Sequence, residues 1–416
     1  MATSEREFSV EIEQDPSTLD FLLSVPGRDA LAQLDLEDVG APQTVPLLEE
    51  LRRRYPPQWA GALLSLARLR RKAASKFPQA DQLYFTAEAL EQATSFAIAD
   101  HRARWLHRYA PPGAVLDLGC GIGGDTLALA HYRPVIAYET SMTRLRFAQA
   151  NAEALGLSSQ IDFRHADWTA ELAANRLPFA AAAFADPARR VEGRRIFSLH
   201  QMQPPLALLQ ELQAQIPALG IKVAPGVQDE EIPADCHVEF ISHERSCKEA
   251  LLWFDALRGD STRRWASVHT ASGWHRLDSS LVPPPLGALH DGYYLHEPDP
   301  AVIRAGSFVE LCQILDAHLF DDQIAYLVGD RPSRSTAAEP FVQSFQIEEI
   351  LPSSLKQLNR RVQALGIGQV ELKKRGSPVE PESLRPRLKL TPGGRDAVVI
   401  LTRRGDERLT LLARRV

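Results

Sequence analysis

Cysteine is scarce in this chain. Cys120, Cys236, Cys247 and Cys312 are its four thiols among 416 residues, with no C-x-x-C pair and no metal-ligand spacing. Neither a disulfide framework nor a zinc module has a basis in that pattern. Long apolar runs are also missing. The alanine-rich stretch 179–185 is far too short to cross a bilayer. Residues 1–20 are acidic and lack the blocks of a secretory signal. There is no internal repeat and no long low-complexity tract. These absences lead to the expectation of a cytoplasmic protein with reduced thiols, no membrane partner and no metal. The remaining composition, 44% hydrophobic and 24% charged, is that of a soluble globular protein long enough for two or three domains.

Positive charge is low overall and concentrated at one end. The formal net charge is −6, yet residues 351–416 carry 15 Lys+Arg against 6 Asp+Glu, which leaves 32 against 47 elsewhere. An acidic body with a basic tail is a layout found in proteins with nucleic-acid partners. A small domain with solvated basic faces would give the same counts.

The strongest local pattern is Val115-Leu116-Asp117-Leu118-Gly119-Cys120-Gly121-Ile122-Gly123-Gly124-Asp125, followed by an apolar stretch that starts a helix. Strand, glycine turn and helix form the layout of a nucleotide-binding loop. The glycines permit positive φ and a close backbone approach, and the helix start offers free N–H groups. The loop is neither the G-x-G-x-x-G of a dinucleotide site nor a P-loop, because no lysine follows the last glycine. An acid ahead of the first glycine repels phosphate and suits a cationic ligand.

Three further strand candidates end in acids. Residues 134–139 end at Glu139, 22 positions after Asp117, the spacing at which doubly wound sheets bind ribose hydroxyls. Residues 160–165 lead to Asp167-Trp168, and residues 179–184 lead to Asp186-Pro187-Ala188-Arg189. One acid after a strand is ordinarily a turn residue. Four in order with one glycine loop line the rim at which open α/β sheets hold ligands. Arg190, Arg194 and Arg195 follow Arg189 in one short loop, which favours an anionic substrate or, more plainly, solvated arginines. His131, His165 and His200 are scattered and form no catalytic grouping.

Around this core the chain reads as three regions: helical over 1–108, α/β over 109–285 and a smaller α+β module over 286–416. In the first, residues 47–55 and 59–76 have helical periodicity, and Arg68, Arg71, Lys72 and Lys76 make a face expected to be solvated. Residues 87–109 read as one helix, with Thr86 as its N-cap and Glu88 in its first turn. In the second, helices are expected over 143–155, stopped by Gly156, and over 206–215. A strand is expected over 220–224, and residues 237–243 and 250–254 make a hairpin. The proline-rich stretch 277–300 reads as a linker. In the third, helices are expected over 301–318 and 355–364, with strands over 324–328, 341–350 and 370–374 and a closing hairpin of 398–402 with 409–413.

The glycine loop resembles motif I of class I S-adenosylmethionine (SAM)-dependent methyltransferases. The whole order of motifs is similar to a bacterial family of these enzymes with a THUMP-like C-terminal domain. The matching residues are 117–123, 186–190, Glu297-Pro298-Asp299, Arg304-Ala305-Gly306 and Leu372-Lys373-Lys374-Arg375-Gly376. A more distant likeness runs to trimethylguanosine synthase-type RNA methyltransferases, whose S-P-P-W differs from Asp186-Pro187-Ala188-Arg189. The resemblance implies a Rossmann-like seven-stranded sheet, with SAM as cofactor. Asp117, Gly119 and Gly121 would cradle its methionine part, with Cys120 and Gly123 in the same loop. Glu139 would bind the ribose and Asp167 the adenine amine, with Trp168 flanking the ring and Phe85 and Thr86 nearby. In amino-group methylases the acid and the proline carbonyl of [DNS]-P-P-[YFW] accept the hydrogens of the target amine. Asp186 and Pro187 would do so here. Arg189 replaces the aromatic residue, to stack on a base, pair with a phosphate or meet a carboxylate. Arg190 and Arg194 would hold the substrate, and Lys373, Lys374 and Arg375 would contact phosphates. The expected activity is methylation of an exocyclic or ring amine of an RNA base. Two rivals stand beside it: a small-molecule or protein methyltransferase, and a non-catalytic RNA-binding protein on the same scaffold.

Overall fold

The computed structural model describes residues 15–34, 39, 44–187, 190–191, 194–195, 198–332 and 336–416. The chain divides into two compact units: Met1–Val223 with Gln228–Cys236 and Leu252–Gly259, and Ala224–Val227 with His237–Leu251 and Asp260–Val416.

The first unit opens with α1 (Pro16–Leu23), α2 (Val25–Ala32), α3 (Thr44–Arg54) and α4 (Pro57–Ala73). Asp15 and Ser24 cap α1 and α2 through their side chains, satisfying backbone N–H groups that have no partner inside the helix. Leu22, Leu63, Leu66 and Leu69 form the apolar centre, and Phe21 stacks on Trp59 at 4.2 Å. The basic face of α4 is not simply solvated. Arg68 donates to Thr44 Oγ1 at 2.9 Å, and Lys76 donates to the carbonyls of Leu90 (2.8 Å) and Ala93 (3.1 Å). Those carbonyls terminate α5 (Ala87–Gln92), and a cation there satisfies orphan acceptors. The expected single helix over 87–109 is accordingly two, α5 and α6 (Phe96–Tyr109), parted where Ala93 and Ser95 turn extended. Thr86 does cap α5, accepting from Ala89 N at 3.1 Å.

The chain then alternates: β1 (Val115–Leu118), α7 (Gly124–Ala130), β2 (Val135–Glu139), α8 (Met142–Ala154), β3 (Ile161–His165), α9 (Trp168–Ala173), β4 (Ala182–Ala185). A short ribbon of β5 (Arg190–Val191) and β6 (Arg194–Arg195) follows, then α10 (Leu206–Gln215) and β7 (Leu219–Val223). Strands β3, β2, β1, β4 and β7 lie parallel in that order. Every residue of β1, β4 and β7 is buried, which explains their apolar runs, interrupted by Asp117 in β1 and Lys222 in β7. The chain order reverses between β1 and β4, so the crevice at that switch point opens beside the ends of these two strands.

Further along come β8 (Cys236–His243), β9 (Ser246–Phe254), β10 (Arg264–Thr270) and β11 (Gly273–Ser279). Glu244 and Arg245, at φ 52° and 56°, make the two-residue turn of the β8–β9 hairpin. The larger sheet counts nine strands, β11-β10-β8-β9-β7-β4-β1-β2-β3, rather than the expected seven. The addition is β10 and β11, whose mixed polar sequence lacks a clean apolar period and becomes legible only through pairing.

The rest of the second unit comprises β12 (Tyr294–Pro298), α11 (Pro300–Ala305), α12 (Phe308–Leu315), β13 (His318–Leu319), β14 (Leu327–Gly329), β15 (Val342–Pro352), α13 (Leu355–Ala364), β16 (Ile367–Lys374), α14 (Pro381–Leu384), β17 (Arg395–Arg404) and β18 (Glu407–Arg415). They build a sheet of order β13-β14-β12-β15-β18-β17-β16. Along β17, Val398 and Ile400 enter one apolar cluster and Val399 and Leu401 another, so both faces of the strand are buried. The stretch read as a linker is shorter than expected, because β11 runs to Ser279 and β12 begins at Tyr294. The helix expected over 301–318 breaks at Gly306, whose φ of 75° ends α11. No described helix is long and apolar enough to cross a membrane. Among the described residues no three His, Cys, Asp or Glu side chains group to hold a metal.

Candidate cofactor and acceptor site

The glycine loop leaves β1 at the switch point. Gly119, Gly121 and Gly123 have φ of 96°, 57° and 96°, a region that residues with a side chain rarely adopt. A Cβ on Gly119 or Gly121 would meet nothing within 4 Å. The requirement there is conformational, and the backbone is open to a close-lying ligand. Gly119 N and Cys120 N donate to Tyr138 O at 3.0 and 2.8 Å. Glu139 fastens the loop to α8: its Oε2 accepts from Gly121 N at 2.9 Å and its Oε1 from Ser141 N at 2.8 Å.

A buried amide completes the mounting. Asn151 donates to Ile122 O (2.9 Å) and Tyr84 O (3.1 Å) and accepts from Tyr84 N (2.7 Å). The loop is thereby tied to the segment before α5. Asn151 was not foreseen, although a polar residue among the buried Leu145, Phe147, Ala148 and Ala152 of α8 was a readable signal. Phe85 is buried in the helical core and Thr86 is occupied as a cap.

The electrostatics are one-sided. Asp117, 3% exposed, accepts from the hydroxyl of Thr126. Burial first, then the charge of Asp125 and, more weakly, of Asp186, pushes its carboxyl up to about 7. Burial, reinforced by Asp117 and Glu139, raises the Cys120 thiol well above its usual range. Asp125 pairs with Arg102, which is 1% exposed and lies 5.0 Å over the Phe184 ring. Asp186 stands just past β4, and its Oδ2 accepts from Lys222 Nζ at 2.6 Å. Lys222 comes from β7, is 3% exposed and also donates to Thr94 Oγ1 at 2.9 Å. Among the described residues Arg102 pairs with Asp125 and Lys222 with Asp186, while Asp117 accepts from Thr126 and Glu139 from two backbone N–H groups.

The other predicted residues are placed differently. Asp167 is exposed at the end of β3, and its Oδ1 accepts from Thr169 N (2.9 Å) and Oγ1 (2.7 Å) as the N-cap of α9. Trp168 is buried in the first turn of that helix. Pro187 is buried next to Asp186. Arg189 lies outside the described residues. The backbones of Arg190 and Arg194 run in the β5–β6 ribbon, and their side chains lie outside the description. In the second unit, Lys373 pairs with Glu297 at 2.6 Å and Arg375 with the same carboxylate at 3.8 Å, while Lys374 pairs with Glu380. Lys373 also sits 5.2 Å over Phe345, and Arg375 5.0 Å over Tyr326.

A glycine loop after the central strand of a parallel sheet, with acids at the strand ends, defines a Rossmann-like cofactor-binding fold. The chain belongs to the S-adenosylmethionine-dependent methyltransferases. It is 34% identical over 355 residues to a protein of Mycobacterium tuberculosis H37Rv described as an uncharacterised S-adenosylmethionine-dependent methyltransferase, covering 82% of this chain and 92% of that one. The protein of strain CDC 1551 / Oshkosh matches to the same extent. The fold is shared with a crystal structure from Porphyromonas gingivalis W83, provisionally assigned as a methyltransferase, at a TM-score of 0.71 and 19% identity over 92% of this chain and 95% of that one. Residues 113–188 match the family model of RNA cap guanine-N2 methyltransferases, residues 342–415 that of THUMP domain-like sequences, and residues 15–73 a domain of unknown function. The protein is therefore a methyltransferase, and SAM is its cofactor. The open backbone at Gly119 and Gly121 and the excess of carboxylates fit a ligand that carries a sulfonium and an ammonium but no phosphate.

Proposed function

We propose that this enzyme methylates an amine of an RNA base. The observation that carries the reading is Asp186, a carboxylate held by a buried lysine at the end of β4, beside the acids of the glycine loop. Bound SAM supplies an electrophilic methyl group on sulfur. Asp117, Gly119 and Gly121, with Cys120 and Gly123, hold its methionine part. Glu139 takes the ribose hydroxyls with lone pairs left over from its two backbone bonds. Asp167 takes the adenine amine, with Trp168 beside the ring. Asp186 and the carbonyl of Pro187 accept the two hydrogens of the acceptor amine, so that its lone pair points at the methyl group. In-line placement then supplies much of the rate.

RNA as the acceptor is supported by the two family matches and by the arginines after Asp186. In this reading residues 109–285 house the chemistry and residues 286–416 dock the RNA. Arg189, Arg190 and Arg194 hold the substrate. Lys374 is the most exposed of the three tail cations and meets phosphate first; Lys373 and Arg375 exchange Glu297 for it. The test is incubation with labelled SAM and total RNA from cells lacking the gene, followed by nucleoside analysis. A labelled nucleoside methylated on nitrogen is expected. Label confined to protein or small molecules overturns the RNA reading.

A further inference from the structure

Lys222 has no role in the activity as described so far, yet its position is costly. It lies in a strand whose five residues are all buried, where an ammonium without partners would be strongly destabilising. Its partners come from two directions. Asp186 Oδ2 accepts at 2.6 Å, and Thr94 Oγ1, from the break between α5 and α6, accepts at 2.9 Å. The register explains the meeting. Ala185 pairs with Ile221, and Asp186 and Lys222 are the next residues on the two strands.

We propose that Lys222 is a positioning residue for methyl transfer: it acts through Asp186, keeping that carboxylate aimed, while Thr94 anchors the ammonium from the helical segment. The inference rests on Asp186 being the group that receives the acceptor amine. Only an ionised carboxylate is purely an acceptor; once protonated, one oxygen becomes a donor and competes for the nitrogen lone pair. Asp117 lies within electrostatic reach of Asp186, and Arg102 is paired with Asp125. Among the described residues Lys222 is a buried cation in hydrogen-bond contact with Asp186.

The test compares Lys222→Met, Asp186→Asn and the double variant. Transfer of labelled methyl groups into a whole extract of cells lacking the gene is measured, so no acceptor class is presumed. SAM affinity is measured by calorimetry. Lys222→Met is expected to lower turnover about 100-fold, the scale of a misplaced reacting group, and to leave SAM affinity nearly unchanged. Lys222→Arg, which keeps a cation at the carboxylate, should recover part of the turnover, which a purely structural defect would not produce. In the Asp186→Asn background, Lys222→Met should cost no more than about twofold, since residues acting as one unit are not additive. Wild-type turnover in Lys222→Met, or fully additive losses, overturns the proposal. Wild-type turnover in Asp186→Ala, which removes both acceptor oxygens, sinks instead the reading of Asp186 on which it rests. If Lys222→Met does not fold, Thr94→Val decides: it keeps the ion pair, removes the anchor and should lower turnover about tenfold with SAM affinity intact. No loss there overturns the proposal.

Discussion

The two units handle charge in opposite ways. In the first, among the described residues, Asp117, Asp125, Glu139 and Asp186 outnumber the two buried cations at the site, Arg102 on Asp125 and Lys222 on Asp186. In the second, six cations of the basic tail are paired with carboxylates, several of them from earlier in the chain: Lys373 and Arg375 share Glu297, Lys374 takes Glu380, Arg361 takes Glu349, Arg395 takes Glu348 and Arg415 takes Glu371. The tail carries the excess of positive charge in the sequence. The unbalanced charge at close quarters is nevertheless in the first unit, and it is negative. A charge count therefore locates a ligand poorly, whereas a buried imbalance of one sign identifies the sign of what binds.

The sharpest way to break this comparison is Asp117→Ala. It removes the most deeply buried acid of the excess and is expected to weaken SAM at least 100-fold, on the order of 3 kcal/mol for losing a buried charge partner. Unchanged affinity by calorimetry would show that the imbalance does not serve the cofactor. Next in size is Asp186→Ala, expected to abolish turnover while SAM affinity changes only a few-fold. A parallel fall in both would make Asp186 a cofactor ligand.

A third test uses pH. The carboxyl of Asp117 sits up at about 7, and a cationic ligand favours its ionised form. SAM affinity should climb by up to about tenfold per pH unit below 7 and level off above it. The same shift acts on the ligand-free fold with its own sign. Because the folded pKa is raised from an ordinary 3.8, the folded protein binds the extra proton between these values. Stability from this group is therefore present at low pH and lost as pH rises through about 7. Asp117→Asn should raise the melting temperature most at pH 8, less at pH 5, and hardly at all below the ordinary value of 3.8. Equal effects at pH 8 and pH 5 would contradict the raised carboxyl.

The smallest expected effect sharpens the other half of the comparison. Lys374→Ala should weaken RNA binding only a few-fold and reduce the salt slope by about one, the signature of one phosphate contact. Glu297→Gln releases Lys373 and Arg375 and should tighten RNA binding. Weaker binding in that variant would mean the Glu297 pairs serve the fold alone.

Much was legible in the sequence because it is local. The glycine loop, the four strands ending in acids, the Thr86 cap and the helices over 206–215 and 355–364 are written in adjacent residues, where backbone freedom and apolar period act within a few positions. The break after α5 was not, because it depends on Lys76 reaching carbonyls that lie 14 and 17 residues along the chain. Nor were β10 and β11, which have little apolar alternation until they pair. Asn151 is a polar residue on the buried face of α8 and Lys222 a charged one in an otherwise apolar strand, and they look like exceptions until their partners are seen.

By itself the sequence determined the order of elements, the sign of the ligand the glycine loop prefers and the class of cofactor, since each follows from residue types a short way apart. Tertiary structure decided which charges are spent on one another and which stay in excess, that Asp186 meets Lys222 and that the tail's cations meet Glu297 and Glu380. The physical reason is that pairing and burial are set by contacts between segments far apart in the chain, while a local pattern records only what each residue is able to do.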